Sequence, residues 1–305
     1  MKILMGSQLA EFLGAELVGP DRPVTSIAPV DRLVPDCLGF MNRLAMDEDT
    51  RAGATLIVPL DMPLSEDSAN SYIRVADPRL ALARVVDRHF SQKPEPVRAA
   101  SAVVSPAASI GKDCAIGEFA VIEEDVVLGD GCVIGHHAVL AKGTVLGANC
   151  VIGPHSVLGV DGLSCPRDEN GVPVPIRHLG RLVLGDNVEV GPSCCLQRGT
   201  LAETRVGDNV KMSTRVNVGH NCAVGENTIL TSGVCLSGGS TVGKGCFLGV
   251  NTSVKELVRI GDNVVVGIHS LVIRNVPSNT TVMGLESLSL KNLNKFKLRC
   301  HYRET

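Results

Sequence analysis

A chain of 305 residues with a formal charge of −3, 3% aromatic content and no Trp can hold one large or two modest domains. That charge leaves no nucleic-acid footprint. The N-terminus lacks a basic-then-apolar signal segment and no apolar run reaches membrane-span length, so a cytoplasmic protein without integral membrane association is expected.

Residues 1–92 read as a small α/β domain. Ser7 to Leu13 has Leu9, Phe12 and Leu13 on one face of a short helix. Apolar runs at Glu16–Val18, Thr25–Pro29, Thr55–Pro59 and Tyr72–Val75 read as strands. Asp77-Pro78 supplies an N-cap and a first-turn proline for a helix running to about Phe90. Residues 93–100, with Lys93-Pro94-Glu95-Pro96, read as a stiff linker.

From Val104 to Val272 the chain counts in sixes. Aliphatic residues recur without a miss from Val104 to Leu158, again from Leu184 to Leu196, and from Val206 to Val272, twenty-five positions in all. Gly often follows, as in Ile134-Gly135 and Val242-Gly243. A period of six fits neither a 3.6-residue helix nor an alternating strand; it predicts a hexapeptide-repeat parallel β-helix over 101–276. Two interruptions break the count, at 159–180 and 197–205, and loops that leave a rigid scaffold are where binding groups concentrate. Residues 277–305 end in a basic stretch that reads as a short helical tail, either a solvated cap or a surface for an acidic carrier protein.

Eleven Cys are present. Cys114, Cys132 and Cys150 are spaced by three hexapeptides, one coil of a triangular helix, and like Cys194, Cys222 and Cys246 each falls at the fourth place past an aliphatic position. They read as small side chains in interior columns rather than as disulfides or metal ligands. No metal site is expected: a zinc set of the γ-carbonic anhydrase kind would need His155, His178 and His220, and no matching motif accompanies them.

His220, in VNVGHNCAVG, occupies the third place of its hexapeptide, near a corner, with Asn217 and Asn221 close by. A neutral imidazole there can take a proton from an amine or hydroxyl; on spacing alone, a solvated surface histidine fits as well. One coil on, three hexapeptides later, stands Gly238, whose N–H can face a thioester oxygen as an oxyanion donor.

The block GRLVLGDNVEVGPSCCLQRGTLAETRVGDNV, continued by VNVGHNCAVGENT, resembles the signature of the UDP-3-O-(3-hydroxyacyl)glucosamine N-acyltransferases of lipid A biosynthesis. GVDGL at the start of the long interruption and DPRLALARV in the first domain resemble that family too, and the likeness spans nearly the whole chain. It implies a left-handed β-helix with a nucleotide-binding α/β domain, assembled as a homotrimer with active sites between subunits. His220 matches the family's general base on the glucosamine 2-amine, and Gly238 its oxyanion donor. The acyl donor implied is a thioester on the phosphopantetheine of acyl carrier protein, with no bound cofactor. Phe40 and Asn42, in GFMNRLAM, match a uracil-binding stretch; Asn217, Asn221 and Arg198 join them as substrate-binding candidates. Three departures stand out: Met46 replaces an expected Tyr, Leu257 falls where the family has a second His, and the C-terminal piece is shorter.

The function expected is therefore transfer of a (3-hydroxy)acyl chain from acyl carrier protein to the 2-amine of UDP-3-O-acylglucosamine. The alternatives are a related enzyme acylating a different nucleotide amino sugar, with acetyl-CoA as a possible donor, a γ-carbonic-anhydrase-like metalloenzyme, or a non-catalytic trimer.

Overall fold

Each aliphatic residue of the six-count lies in a short strand, and from Ile116 to Val272 every one is buried. Strands stack in parallel, one per coil: Ile116 pairs with Ile134 and Ile134 with Ile152, each step spanning three hexapeptides. Among the described residues, three parallel sheets of nine, nine and eight strands result, enclosing one continuous aliphatic core. A single inward side chain per face suits Leu, Ile and Val, each worth about 1.5–3 kcal/mol when buried. Across the interruptions the ladder resumes in register, Ile152 with Val190 and Val190 with Met212, so the extra residues leave the solenoid without shifting it. A computed structural model describes residues 3–41, 53–64, 69–91 and 94–284; the fold class is a left-handed parallel β-helix preceded by a small α/β unit.

The corners explain the rest of the repeat. The third residue after the aliphatic one adopts a left-handed backbone, as at His137 (φ 57°), Asn221 (φ 59°) and Gly239 (φ 70°), which favours Gly, Asn and Asp. The fourth residue turns inward beneath that corner. Here sit Cys132, Cys150, Cys194, Cys222 and Cys246, all buried free thiols, alternating with residues such as Thr228 and Ser240. They satisfy corner carbonyls: Cys222 Sγ donates to Ser237 O (3.1 Å), Cys246 Sγ to Gly261 O (3.1 Å), and Thr228 Oγ1 to Gly243 O (2.8 Å). Where the same place holds Val or Ala, as at Val188, Val216 and Ala138, the buried side chain adds no such bond.

The chain divides into two units, Met1–Lys93 and Pro94–Thr305. The first has a five-stranded mixed sheet in the order Leu17–Val18, Ser71–Val75, Thr55–Pro59, Cys37–Phe40, Ser26–Ile27. Its helices are Gly6–Leu13 and Pro78–Val85, the latter continuing through a wider turn to Phe90. Asp77 Oδ1 accepts the Leu80 N–H at 2.9 Å, the cap expected from Asp77-Pro78. The strand Cys37–Phe40 was not anticipated, because CLGF shows no period-two alternation: its first three residues are all buried.

Two expected boundaries move. Val97 and Ala99 already bond to Ile116, so the second half of the supposed linker 93–100 belongs to the first coil. At the far end Val276 pairs with Ile260 and Val282 with Val266, so Thr281–Val282 extends the β-helix past residue 276. Both pairs lie closer in sequence than a full coil of three hexapeptides, and this shortening hides the continuation from a strict six-count. Residues 285–305, with most of the expected helical tail, lie outside the described residues. Among the described residues, no helix is long and apolar enough to cross a membrane.

Candidate active site

Both interruptions of the repeat arrive at the same corner, and the side chain they meet there is His220. The longer one leaves the solenoid after Val160 and returns at Gly180; its ends bring Gly162 and His178 to the imidazole. The shorter one brings Gln197 and Thr200. Gln197 Oε1 accepts the His220 backbone N–H at 3.1 Å, and the His178 and His220 rings meet edge to face, 5.1 Å between centroids.

The hydrogen bonds fix the chemistry of the ring. Asn221 Oδ1 accepts the Thr200 backbone N–H (3.1 Å) and the Thr200 hydroxyl (2.8 Å). A backbone N–H can only donate, so the oxygen of this amide, not its nitrogen, faces Thr200. The same oxygen lies 2.9 Å from His220 Nδ1, which must then carry the proton. The lone pair of the neutral imidazole is left on Nε2, and a base with a defined direction results. Asn221 reaches this position because its corner backbone is left-handed (φ 59°) and its N–H is held by Thr204 Oγ1 at 2.8 Å.

Gly238 lies against that nitrogen. A Cβ added to it would stand 2.6 Å from His220 Nε2, closer than packing allows. The next coil is tied on by Gly239 N–H to His220 O (2.8 Å). At the same place of the repeat, the N–H of His220, one coil back, goes to Gln197, and that of Lys244, at the next corner, to Asp262 Oδ1. The Gly238 N–H makes no such bond among the described residues. An unpaired backbone donor beside a directed base is the arrangement required to hold an oxyanion while a proton is removed.

The other expected site residues divide. Arg198 donates from Nε to Gly159 O at 2.6 Å and from its terminal nitrogen to Lys142 O, with Asp161 3.9 Å away. It is an anchor for the start of the long insertion. Asn217 points outward from its strand and donates to Cys235 Sγ at 3.7 Å. Phe40 packs against the core of the N-terminal unit; Asn42 and Met46 lie outside the described residues. Leu257 is exposed in a left-handed corner (φ 63°), with its Cδ2 2.7 Å from where a Gly239 Cβ would be. His155 stacks on His137 at 4.9 Å. No cluster of three or more His, Cys, Asp or Glu suited to a metal occurs among the described residues.

Gln197, Thr200, Gly162 and the placement of His178 escaped sequence reasoning. Gly162 lies in the family-like GVDGL, and Gln197 and Thr200 lie in the family-like block around CCLQRGTLAETR, but no spacing placed them, or His178, beside His220. The nearby thiols are poor nucleophiles: burial pushes Cys222, Cys194 and Cys195 above the ordinary thiol value of 9.0.

Models of two repeat families match the solenoid: bacterial transferase hexapeptide (six repeats) at residues 107–142 and 125–159, and the hexapeptide repeat of succinyl-transferase at 239–268. The chain is 36% identical over 297 residues to the UDP-3-O-acylglucosamine N-acyltransferase of Delftia acidovorans, covering 93% of this chain and 87% of that protein. It is 35% identical over 292 residues to the enzyme of that name from Helicobacter hepaticus, covering 90% and 88%. Among solved structures, a UDP-N-acetylglucosamine acyltransferase aligns with TM-score 0.57 at 28% identity, over 66% of this chain and 77% of that one. The Francisella novicida UDP-N-acetylglucosamine acyltransferase aligns with TM-score 0.57 at 24% identity, over 66% and 73%.

Proposed function

Because the chain belongs to the UDP-3-O-acylglucosamine N-acyltransferase family, we infer that its corner at His220 carries out direct N-acyl transfer. The observation that carries this reading is the Nδ1–H tautomer of His220, imposed by Asn221, with the basic Nε2 beside Gly238.

The acceptor is the 2-amine of UDP-3-O-acylglucosamine, and the donor is a (3-hydroxy)acyl thioester on the phosphopantetheine of acyl carrier protein. The amine nitrogen attacks the thioester carbon while His220 Nε2 takes its proton. A C–N bond forms, the carbonyl electrons move onto oxygen, and the Gly238 N–H stabilises that charge. Collapse breaks the C–S bond, and the proton held by His220 leaves with the pantetheine sulfur as a thiol. No cysteine is acylated and no resident cofactor takes part.

The active form is a cytoplasmic homotrimer acting in lipid A assembly. Support comes from the apolar residues left open around the two insertions: Leu163, Leu179 and Leu201 are 80%, 76% and 77% exposed. We read these exposed apolar side chains as surface for a neighbouring subunit. Phe40 and Asn42 contribute to the uridine site of the N-terminal unit, and Asn217 to the acceptor side of His220.

The test is a donor and acceptor panel. 3-Hydroxyacyl carrier protein with UDP-3-O-acylglucosamine should give the N-acyl product and free carrier thiol in equal amounts. Turnover only with acetyl-CoA, or only with another nucleotide amino sugar, would overturn the donor or the acceptor assigned.

A further inference from the structure

His178 has no role in the transfer as derived, yet it is the most deeply buried histidine near the site, at 3% exposure. Its Nδ1 lies 3.0 Å from the Gly162 backbone N–H. That donor is a main-chain group, so Nδ1 must accept and the ring proton must sit on Nε2. Protonating His178 would turn Nδ1 into a donor and break the bond. The ring is therefore in the opposite tautomer to that of His220, whose Nδ1 donates to Asn221.

The contacts stitch the two insertions to each other. Asp161 Oδ2 accepts the His178 backbone N–H at 3.4 Å, and the Leu179 N–H donates to Thr200 O at 2.7 Å. Thr200 in turn holds the Asn221 oxygen that orients His220. Gly162 is pinned between the rings: a Cβ there would stand 2.9 Å from His220 Cδ2 and 3.0 Å from His178 Cε1. Packing alone does not account for a histidine here. Its Nε2 is buried without a hydrogen-bond partner among the described residues, at a cost of about 1–3 kcal/mol that a phenyl ring would avoid.

We propose that His178 is a positioning residue for His220: its Nδ1 fastens Gly162 across the edge of the catalytic imidazole and fixes the ring that receives the proton. The proposal rests on His220 being the base. The edge-to-face contact limits ring rotation, and the Gly162 bond limits movement of the wall behind it, so a small misplacement of Nε2 follows when either is lost.

Two experiments test it. The first is imidazole 15N NMR of histidine-labelled protein, with the two rings assigned by loss of signal in His178→Asn and His220→Ala. The expected spectrum has His178 protonated on Nε2 with a bare Nδ1, and His220 the reverse. A His178 protonated on Nδ1 overturns the proposal. The second is kinetics on three variants. His178→Asn places an amide oxygen where Nδ1 was and should stay within about 3-fold of the parent kcat. His178→Ala and His178→Phe lose the acceptor and should lower kcat about 30-fold with KM nearly unchanged, in the range that a small misplacement of reacting groups costs. A kcat for either within 2-fold of the parent overturns the proposal, as does His178→Asn performing no better than His178→Phe. Should His178→Ala fail to fold, the Asn and Phe pair still decides. Failure of the base assignment looks different, because His220→Ala would then keep its activity whatever His178 does.

Discussion

His220 Nδ1 lies 2.9 Å from Asn221 Oδ1, and the two residues are adjacent in the chain. Neighbours in sequence seldom bond in this way. Here the left-handed backbone of Asn221 folds its amide back toward the ring, while Thr200, from the shorter insertion, fixes which amide atom faces it. A conformation that the repeat requires at every corner has thus been used to orient a base.

Replacing Asn221 should separate orientation from folding. Asn221→Gly suits the left-handed corner but removes the acceptor, so kcat should fall about 10- to 100-fold, the scale of a disturbed general base. Asn221→Ala should show the same kinetic loss with an added destabilisation of about 1 kcal/mol from its positive φ. Thermal melts beside initial rates distinguish the two effects. Wild-type kcat in Asn221→Gly would remove the amide from the account.

Gly238 and Gly239 are adjacent, and their substitution should have opposite signatures. In Gly238→Ala the new methyl meets His220 Nε2, displacing the ring and crowding the oxyanion position; activity should fall about 100-fold or more, comparable to losing an oxyanion donor, with little change in melting temperature. In Gly239→Ala the methyl meets the movable Leu257 Cδ2, but φ is 70°. That variant should lose about 1–2 kcal/mol of stability and keep most of its activity.

Leu257 holds a left-handed corner that Asn occupies in other coils, at Asn227 and Asn263 for example. Leu257→Asn should raise stability by up to about 1 kcal/mol through the backbone preference alone, read as a higher denaturant midpoint. Because the Leu257 side chain is 75% exposed, little packing is lost. An unchanged or lower midpoint would mean that the contact with Gly239 outweighs the relieved strain.

The interior thiols make stability depend on alkaline pH. Burial raises the pKa of Cys194, Cys222 and Cys246 above 9.0 in the folded state. Below pH 9 both states keep these protons and the contribution is whole. Above it the unfolded chain releases protons that the folded chain retains, so unfolding becomes easier as pH rises. The denaturant midpoint should fall from about pH 9 to about pH 10.5, and less steeply in a Cys222→Ser variant. Thiol labelling at about pH 8 should reach the exposed Cys165 well before these three.

The β-helix could be read from the sequence because its interior admits one aliphatic side chain per face, so the pattern is as regular as the coil. Where the coil is not regular, reading failed. The last coil, from Ile260 to Val276, is shorter than three hexapeptides, and the strand at Thr281–Val282 was missed. His220 and Gly238 could be paired beforehand by counting one coil. His178 could not: it sits in an insertion whose path no periodicity describes. Arg198 was expected to meet substrate; its Nε and one terminal nitrogen donate to the main-chain carbonyls of Gly159 and Lys142, partners that only the folded insertion creates.

Removal of the amine proton by His220 is the step on which the proposed transfer depends. The measurement is the single-turnover rate of N-acylation of UDP-3-O-acylglucosamine by 3-hydroxyacyl carrier protein, in the parent and in His220→Ala, each first checked for an unchanged melting temperature. Loss of the general base should lower the rate about 10²- to 10⁴-fold, while carrier-protein binding is retained. A folded His220→Ala variant transferring the acyl chain within a few-fold of the parent rate would contradict the assignment of His220 as the base.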